Sequence, residues 1–297
     1  MPKIGVVLGG GASKGAYEIG VMQAIEEYFG MDSIHVVSSS SIGALVAQAY
    51  GMDQTEEMAK LWKSMDTNKH GRFFLSYSGN KVLLNAIDEV LAKGKPLPYE
   101  HYVTAWNYTK HRVEYVPFHT LEGEKLNKFM HGAIAIPLFS RGEKIDGDRY
   151  LDGAFLDNIP AYPLLEKDLD FIFCVYFDNC NYIFENEEFD KKIIKLIDFP
   201  NTQRLELMKY SADAFDSMVE YGYNYAMRTI KEIFENNSDK EIYDAIEELE
   251  KNRECTYKPR LTADIVLDNI NVVTKRYAKR MSNREIKSKS KNKSPKN

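Results

Sequence analysis

Short apolar runs alternate with amphipathic stretches along the first part of the chain. Ile4 to Leu8 is a β-branched apolar run that stops at a glycine cluster, as is typical of a buried parallel strand that enters a loop. From Ala16 to Gly30 apolar residues recur at helical spacing with glutamates opposite them, which indicates a helix. A strand-like run (Ile34 to Val37) and a small-residue helical segment (Gly43 to Ala49) follow. This order predicts an α/β fold of three layers, α/β/α, around a mainly parallel sheet.

The rest of the chain continues with both patterns. The most apolar run, Phe171 to Phe177, is expected to be a central strand, and 146–160 to be a loop before it. The other predicted elements are helices at Thr55 to Ser64, Lys81 to Leu91 and Glu122 to His131, strands at Tyr102 to Thr109 and Val113 to His119, helices over Thr202 to Asn252, and a last strand at Ala263 to Leu267.

Composition places the chain among globular proteins. Its 297 residues are 44% hydrophobic and 28% charged, close to the average for folded domains. No window approaches the roughly 18 to 20 apolar residues of a membrane-spanning helix, and the N-terminus lacks the apolar core of a secretory signal. We therefore expect a cytoplasmic protein.

Charge and cysteines change this picture little. Residues 275–297 contain ten Lys or Arg and one acid, which predicts a disordered basic tail. Peripheral contact of this tail with an anionic membrane, at the inner membrane surface, is the alternative, and no nucleic-acid partner is expected. The three cysteines lack metal-ligand spacing, are interpreted as free thiols and suggest neither a disulfide framework nor a zinc site. No metal and no cofactor are predicted.

A glycine-rich loop lies between the first strand and its helix. Its sequence is Gly10-Gly11-Ala12-Ser13-Lys14-Gly15, where backbone N–H groups and a helix N-terminus favour an anion. The spacing departs from the dinucleotide fingerprint, and Lys14 precedes Gly15 where a Walker A loop requires the reverse. Taken alone, the loop is compatible with nucleotide binding, an oxyanion hole or a tight turn.

A serine cluster, Ser39-Ser40-Ser41-Ile42-Gly43, lies between the second strand and the next helix. A nucleophile elbow needs small residues two positions before and after its serine. Ser39 and Gly43 satisfy that rule around Ser41, although the strict motif has glycine at the first position. The alternative is a serine that caps a helix.

A third motif is Asp152-Gly153-Ala154, followed by Asn158-Ile159-Pro160. Taken alone, Asp-Gly is more often a surface turn than a catalytic site. Its place after the other two motifs changes that interpretation.

Together the three motifs resemble the patatin-like phospholipase family in order and spacing. The family's oxyanion loop is similar to Gly10 to Gly15, its elbow to Ser41-Ile42-Gly43-Ala44-Leu45, and its Asp-Gly-Gly/Ala with Asn-x-Pro to the motif at Asp152. A proline-containing segment, Ala135 to Phe139, also matches. The resemblance covers residues 3–178 as a catalytic core, leaving 179–274 as a mostly helical part of the same domain and 275–297 as the tail.

The resemblance implies a serine acyl hydrolase of lipid esters that uses a Ser-Asp dyad. Ser41 would be the nucleophile and Asp152 its base. N–H groups of Gly10, Gly11, Ala12 and Ser13 would form the oxyanion hole, and Lys14, Gly15, Ser39, Gly43, Gly153 and Ala154 would support the motifs. Ala12 and Ser39 each replace a glycine usual in the family.

Histidine order separates this mechanism from that of the α/β-hydrolases. Their triad runs Ser, then Asp or Glu, then His, whereas all six histidines precede Asp152: His35, His70, His101, His111, His119 and His131. Two alternatives remain open at this point: a nucleotide- or phosphate-binding regulatory module, and a catalytically weak lipid-binding pseudoenzyme.

Overall fold

A computed structural model describes most of the chain. The described residues are 1–65, 77–137, 140–177, 180–184, 186–197, 211–252 and 256–259. The strands are β1 (Ile4–Leu8), β2 (Ile34–Ser40), β3 (Glu100–Asn107), β4 (Arg112–Pro117), β5 (Glu143–Ile145), β6 (Asp148–Asp152), β7 (Phe171–Val175), β8 (Cys180–Ile183), β9 (Ile193–Lys195) and β10 (Thr256–Pro259). The helices are α1 (Gly15–Phe29), α2 (Ile42–Gly51), α3 (Thr55–Ser64), α4 (Tyr77–Leu91), α5 (Gly123–Ala133), α6 (Glu187–Asp190), α7 (Ala212–Phe234) and α8 (Asp239–Asn252).

Eight of these strands form one mixed sheet in the order β5-β6-β3-β2-β1-β7-β9, with β4 also paired to β3. The pairs from β3 through β2, β1 and β7 to β9 are all parallel. Strands β4, β5 and β6 are added by antiparallel pairing. The prediction of an α/β fold with a mainly parallel sheet and C-terminal helices is therefore confirmed. In the described part, β8 and β10 form a separate two-stranded sheet.

The two faces of the sheet are covered differently. Along β1, Val6 and Leu8 belong to a large apolar cluster with residues of α1 to α5, α7 and α8. Val7, on the opposite face, belongs to a smaller cluster with the 159–169 segment and Phe189 of α6. Long helices thus cover one face, and within the described residues shorter segments cover the other.

Helix α1, which follows the glycine-rich loop, is held by close contact with α7. A Cβ atom on Gly20 would lie 2.0 Å from the Val219 carbonyl oxygen, and one on Gly222 would lie 2.1 Å from that of Tyr17. Only glycine permits this approach, so the two backbones touch where the helices cross. Among the described residues, no helix combines the length and apolar character needed to cross a bilayer.

The structure confirms most predicted elements and corrects one. The expected loop at 146–160 is wrong in its first part, because β5 and β6 form a hairpin there and Asp152 is the last residue of a strand. The hairpin turn uses Asp146 and Gly147, both at positive φ. The helical stretch predicted from Thr202 is divided into α7 and α8. The described residues do not include 202–210, at the start of this predicted stretch. They also do not include the predicted strand at Ala263 to Leu267 or the basic tail.

Candidate active site

Ser41 occupies the turn between β2 and α2. Its backbone has φ 51° and ψ −125°, a region that residues with a Cβ rarely adopt and that indicates local strain. Two residues later, a Cβ on Gly43 would lie 2.7 Å from the carbonyl oxygen of Leu8. The small residue at this position is therefore required by the close approach of α2 to the end of β1, as a nucleophile elbow needs.

Ser41 and Asp152 are brought together by the way two strands end along β3. Strand β2 runs parallel to β3 and ends with Ser40 opposite Thr104. Strand β6 runs antiparallel to β3 and ends with Asp152 opposite Ala105, the next residue of β3. The carboxyl ends of β2 and β6 therefore meet, and the Ser41 Oγ donates a hydrogen bond of 2.6 Å to the Asp152 Oδ2.

The Asp152 carboxylate is buried, with only 2% of the residue exposed. Its Oδ1 accepts a hydrogen bond of 2.9 Å from the backbone N–H of Ala154. Burial raises the pKa of the Asp152 carboxyl from its ordinary 3.8 to about 6, against the opposing effect of hydrogen bonds from Ser41 and Ala154. The carboxylate is thus ionised at neutral pH and is a stronger base than an exposed aspartate. Next to it, a Cβ on Gly153 would lie 2.5 Å from the Thr104 backbone, so this glycine allows β6 to end against β3.

The glycine-rich loop packs directly on the elbow. A Cβ on Gly10 would lie 2.8 Å from the Ser41 Cβ. The Gly10 N–H donates to the Asn158 Oδ1 at 2.8 Å and to the Ser40 Oγ at 2.9 Å, and the Asn158 Nδ2 donates to the Gly10 carbonyl at 3.1 Å. The Gly10 N–H is therefore already hydrogen-bonded within the protein, which argues against the predicted role of this residue as an oxyanion donor. The asparagine of the third motif holds the loop in place, a role that the sequence pattern did not indicate.

The following loop residues remain candidates for an oxyanion hole. Within the described part of the chain, no acceptor is found for the N–H of Gly11 or Ala12. A Cβ on Gly11 would lie 2.5 Å from the Phe177 ring, and the buried Lys14 ammonium lies 5.4 Å from the centre of the same ring. Ser13 is also buried. Phe177 therefore fixes one side of the loop.

Gly15, the last residue of the motif, sits against the elbow helix. A Cβ there would lie 2.9 Å from side-chain atoms of Ile42 and Trp62. The first residue of α1 is thus packed against the first residue of α2, and the loop and the elbow form one unit.

Ala12 adopts a left-handed backbone conformation, with φ 50°. This conformation costs about 1 to 2 kcal/mol for a residue with a Cβ. A glycine here would remove that cost, but part of the benefit would be lost because glycine is more flexible in the unfolded chain. We expect Ala12→Gly to raise the free energy of unfolding by about 0.5 to 1 kcal/mol, measured by urea denaturation. Ala24→Gly, in the middle of α1, should instead lower it by about 1 kcal/mol or more. Equal destabilisation by the two changes would contradict the strain at Ala12.

Ser39, the second departure from the family pattern, is explained by a buried histidine. The Ser39 Oγ lies 2.7 Å from the His101 Nε2, and the His101 Nδ1 lies 2.9 Å from the Gln48 Oε1. Burial lowers the pKa of His101 to about 3, so the ring is neutral. Because the Gln48 oxygen only accepts, Nδ1 carries the proton and Nε2 accepts from Ser39. His101 thus joins β2 to α2 on either side of the elbow.

This bridge predicts coupling between Ser39 and His101. Removal of one partner leaves buried polar atoms unpaired, at a cost of about 1 to 3 kcal/mol. We therefore expect Ser39→Ala and His101→Phe to be non-additive in urea unfolding, with a coupling energy of about 1 kcal/mol. Ser39→Ala combined with His35→Phe is the control and should be additive, because His35 is an exposed residue near the start of β2. Additivity in both pairs would mean that the bridge does not form.

Two other described histidines have hydrogen-bond partners of their own. His119 accepts from the backbone N–H of His101, and His131 contacts Asp88 at 2.8 Å. His70 lies outside the described residues. In the part of the chain that the structure describes, no histidine hydrogen-bonds to Ser41 or Asp152.

The fold and this geometry define an α/β protein with a candidate serine nucleophile beside a buried carboxylate. The sequence profile described as patatin-like phospholipase matches residues 6–165. The chain belongs to the patatin-like phospholipase family, as the three motifs indicated.

Two sequence relatives match more than half of the chain. The chain is 26% identical over 186 residues to Lysophospholipase NTE1 of Mycosarcoma maydis, a match that covers 58% of this chain and 9% of that protein. It is 27% identical over 184 residues to an uncharacterized NTE family protein of Mycobacterium bovis, covering 59% and 49%. The chain thus spans half or less of these relatives.

Two bacterial structures also match at low similarity. VipD from Legionella pneumophila has a TM-score of 0.39 and 13% identity, covering 84% of this chain and 74% of that one. ExoU, in its complex with SpcU from Pseudomonas aeruginosa, has a TM-score of 0.40 and 16% identity, covering 84% and 58%.

Proposed function

We propose that this protein is a serine acyl hydrolase that cleaves carboxylic esters of lipids, with Ser41 as nucleophile and Asp152 as general base. The observation that carries the proposal is the 2.6 Å hydrogen bond from Ser41, held in a strained turn, to a buried carboxylate. A nucleophile and its base must lie within about 2.6 to 3.2 Å. The pair meets that requirement without a histidine.

In the first step, the Ser41 oxygen attacks the ester carbonyl carbon and its proton passes to the Asp152 carboxylate. Collapse of the tetrahedral intermediate breaks the bond to the alcohol, which takes that proton from Asp152. The acyl group is left as an ester on Ser41. Because the pKa of Asp152 is about 6, the carboxylate can accept the proton at neutral pH and return it to the leaving oxygen.

In the second step, water attacks the acyl-enzyme. Asp152 takes one proton from the water as its oxygen bonds to the acyl carbon. The bond to Ser41 then breaks, the proton returns to the Ser41 oxygen, and a fatty acid is released. The same carboxylate therefore serves both halves of the reaction.

The negative charge that develops on the carbonyl oxygen is assigned to the loop beside Ser41. N–H groups of Gly11, Ala12 and Ser13 are proposed as donors, supplemented by the N-terminal end of α2, whose dipole favours negative charge. Gly10 and Asn158 position the loop, because their hydrogen bonds hold one another. An aspartate is a weaker base than a histidine, so this electrostatic support is expected to carry much of the catalysis.

The substrate class follows from the family and from the name of the fungal relative, a lysophospholipase. We propose phospholipids or lysophospholipids as substrates. The test is to incubate the protein with lysophosphatidylcholine in ¹⁸O-labelled water and analyse the products by mass spectrometry. Hydrolysis through Ser41 should give a fatty acid with one ¹⁸O and unlabelled glycerophosphocholine. No fatty acid from any lipid ester would reject the activity, and transfer of the acyl group to an added alcohol without label would indicate a transferase.

A further inference from the structure

We propose that the segment 153–165 forms a lipid-facing surface that seats the active site on a bilayer. We call this surface the aromatic rim, defined by the exposed side chains of Phe155 and Tyr162. The inference rests on the proposed function, since it supposes a lipid substrate. It assigns to these residues the recognition of an uncharged lipid interface, separate from any contact made by the basic tail.

The first observation is the charge of the segment. Its thirteen residues, 153–165, contain one Asp, Glu, Lys or Arg side chain, Asp157, in a chain where these four types make up 28% of residues. Asp157 is buried, where its Oδ2 accepts a hydrogen bond of 2.7 Å from the Tyr115 hydroxyl and its backbone N–H donates to the Gly153 carbonyl. The segment therefore presents no charged side chain to solvent, and moving it into a bilayer interface desolvates no charge.

The second observation is that the two aromatic side chains of the segment are exposed to solvent. Phe155 is 57% exposed and Tyr162 is 50% exposed. An exposed Phe has no hydrogen-bonding group that water can satisfy, and aromatic side chains favour the boundary between water and hydrocarbon. The Tyr162 ring stacks on Tyr115 with centroids 5.6 Å apart, so it is held in place at the surface.

The third observation is the position of the rim beside Ser41. The segment begins at the residue after Asp152, and Asn158 within it hydrogen-bonds to Gly10 of the glycine-rich loop. Tyr115, which stacks on Tyr162, is paired across the sheet with Thr104, the residue next to Gly153. The rim is thus continuous with the site through direct contacts. A bilayer in contact with it would bring an ester close to Ser41.

The test measures binding without turnover. Ser41→Ala protein is sedimented with vesicles of pure phosphatidylcholine, which carry no net charge, so electrostatic attraction of the tail is minimal. Adding Phe155→Ser or Tyr162→Ser should each weaken binding about tenfold, because partial burial of one aromatic side chain corresponds to about 1.4 kcal/mol. Tyr243→Ser is the matched control. Tyr243 is 40% exposed on α8 and contacts Phe171, at the opposite end of the sheet from Ser41, so binding should not change.

Phe155→Trp, in place of Phe155→Ser, should bind the vesicles as well as the parent Ser41→Ala protein does. Raising the salt concentration should leave the vesicle binding of the parent protein unchanged. The rim variants should unfold in urea at nearly the same midpoint as the parent Ser41→Ala protein, which shows that they fold. Unchanged vesicle binding in both rim variants would overturn the inference, as would no binding of the parent protein to neutral vesicles or self-association that the rim variants abolish. These outcomes are independent of whether the unaltered chain hydrolyses esters, so failure of the rim and failure of the proposed function are distinguishable.

Discussion

Ser41→Ala is expected to lower ester turnover by about 1,000-fold or more, since loss of the nucleophile removes the covalent route. The protein should remain folded, because the change removes one oxygen and releases a hydrogen bond at a partly exposed position. Turnover of a chromogenic short-chain ester measures the effect. The matched control is Ser38→Ala on β2, three residues before Ser41, where the buried hydroxyl has no partner among the described residues. That variant should keep its activity.

The two serines separate a catalytic role from a structural one. If Ser41→Ala retained turnover within about tenfold of the unaltered chain, another nucleophile would have to be present. If Ser38→Ala lost as much turnover as Ser41→Ala, the loss would be caused by disturbance of β2 and not by removal of the Ser41 hydroxyl.

Asp152→Asn is expected to abolish most turnover and, at the same time, to stabilise the protein. The amide has nearly the same shape and its Oδ1 can still accept from Ala154, but it cannot take a proton from Ser41. The loss of a general base typically costs about 100 to 10,000-fold. A folded, inactive variant is therefore the expected result.

The stability gain follows from the direction of the pKa shift. The folded pKa of Asp152, about 6, lies above its ordinary value of 3.8, so between these values the folded state binds more protons than the unfolded state. The free energy of unfolding therefore falls as pH rises through this window. At pH 8 the buried charge costs about 3 kcal/mol, and Asp152→Asn should recover a large part of it. Near pH 4 the difference should almost vanish.

Urea unfolding of both proteins across this pH range measures the effect. Asp157→Asn is a suitable control because the Asp157 carboxylate accepts hydrogen bonds from Tyr115 and Ile159, and its loss should not stabilise the protein at pH 8. If Asp152→Asn were less stable than the unaltered chain at pH 8, burial of the charged Asp152 carboxylate would not be lowering the free energy of unfolding.

The local parts of the site could be predicted from the sequence. The glycine cluster after a β-branched run and the small residues around Ser41 are short-range signals, because backbone crowding at a strand-to-helix turn acts on neighbouring residues. The close approach of Gly43 to Leu8 is the physical reason for that signal. The parallel strands β1, β2 and β7 were predictable for a similar reason, since strands buried on both faces are continuously apolar.

The pairing of Ser41 with Asp152 could not be derived from local pattern. The two residues are 111 positions apart, and they meet because β6 pairs antiparallel to β3 just beyond the end of β2. That register depends on β6, whose residues lie in the segment 146–160 that was expected to be a loop. Only the family resemblance indicated the pair.

The roles of Asn158 and His101 were also hidden. Each forms hydrogen bonds to residues distant in sequence, Gly10 and Ser39, and no spacing rule connects them. Their effect is nevertheless local to the site. Asn158 accepts the hydrogen bond from the Gly10 N–H, a predicted oxyanion donor. His101 accepts a hydrogen bond from the hydroxyl of Ser39, the residue that stands where the family usually has glycine.

The most direct measurement of the central claim is the rate of labelling by a fluorophosphonate, mapped by peptide mass spectrometry and followed against pH. A nucleophilic Ser41 activated by Asp152 should carry the label with a stoichiometry near one, and the rate should fall about tenfold per pH unit below the pKa of about 6. Asp152→Asn should label slowly at every pH. Label on another residue, no label on folded protein, or a rate at Ser41 that does not depend on Asp152 would contradict the account.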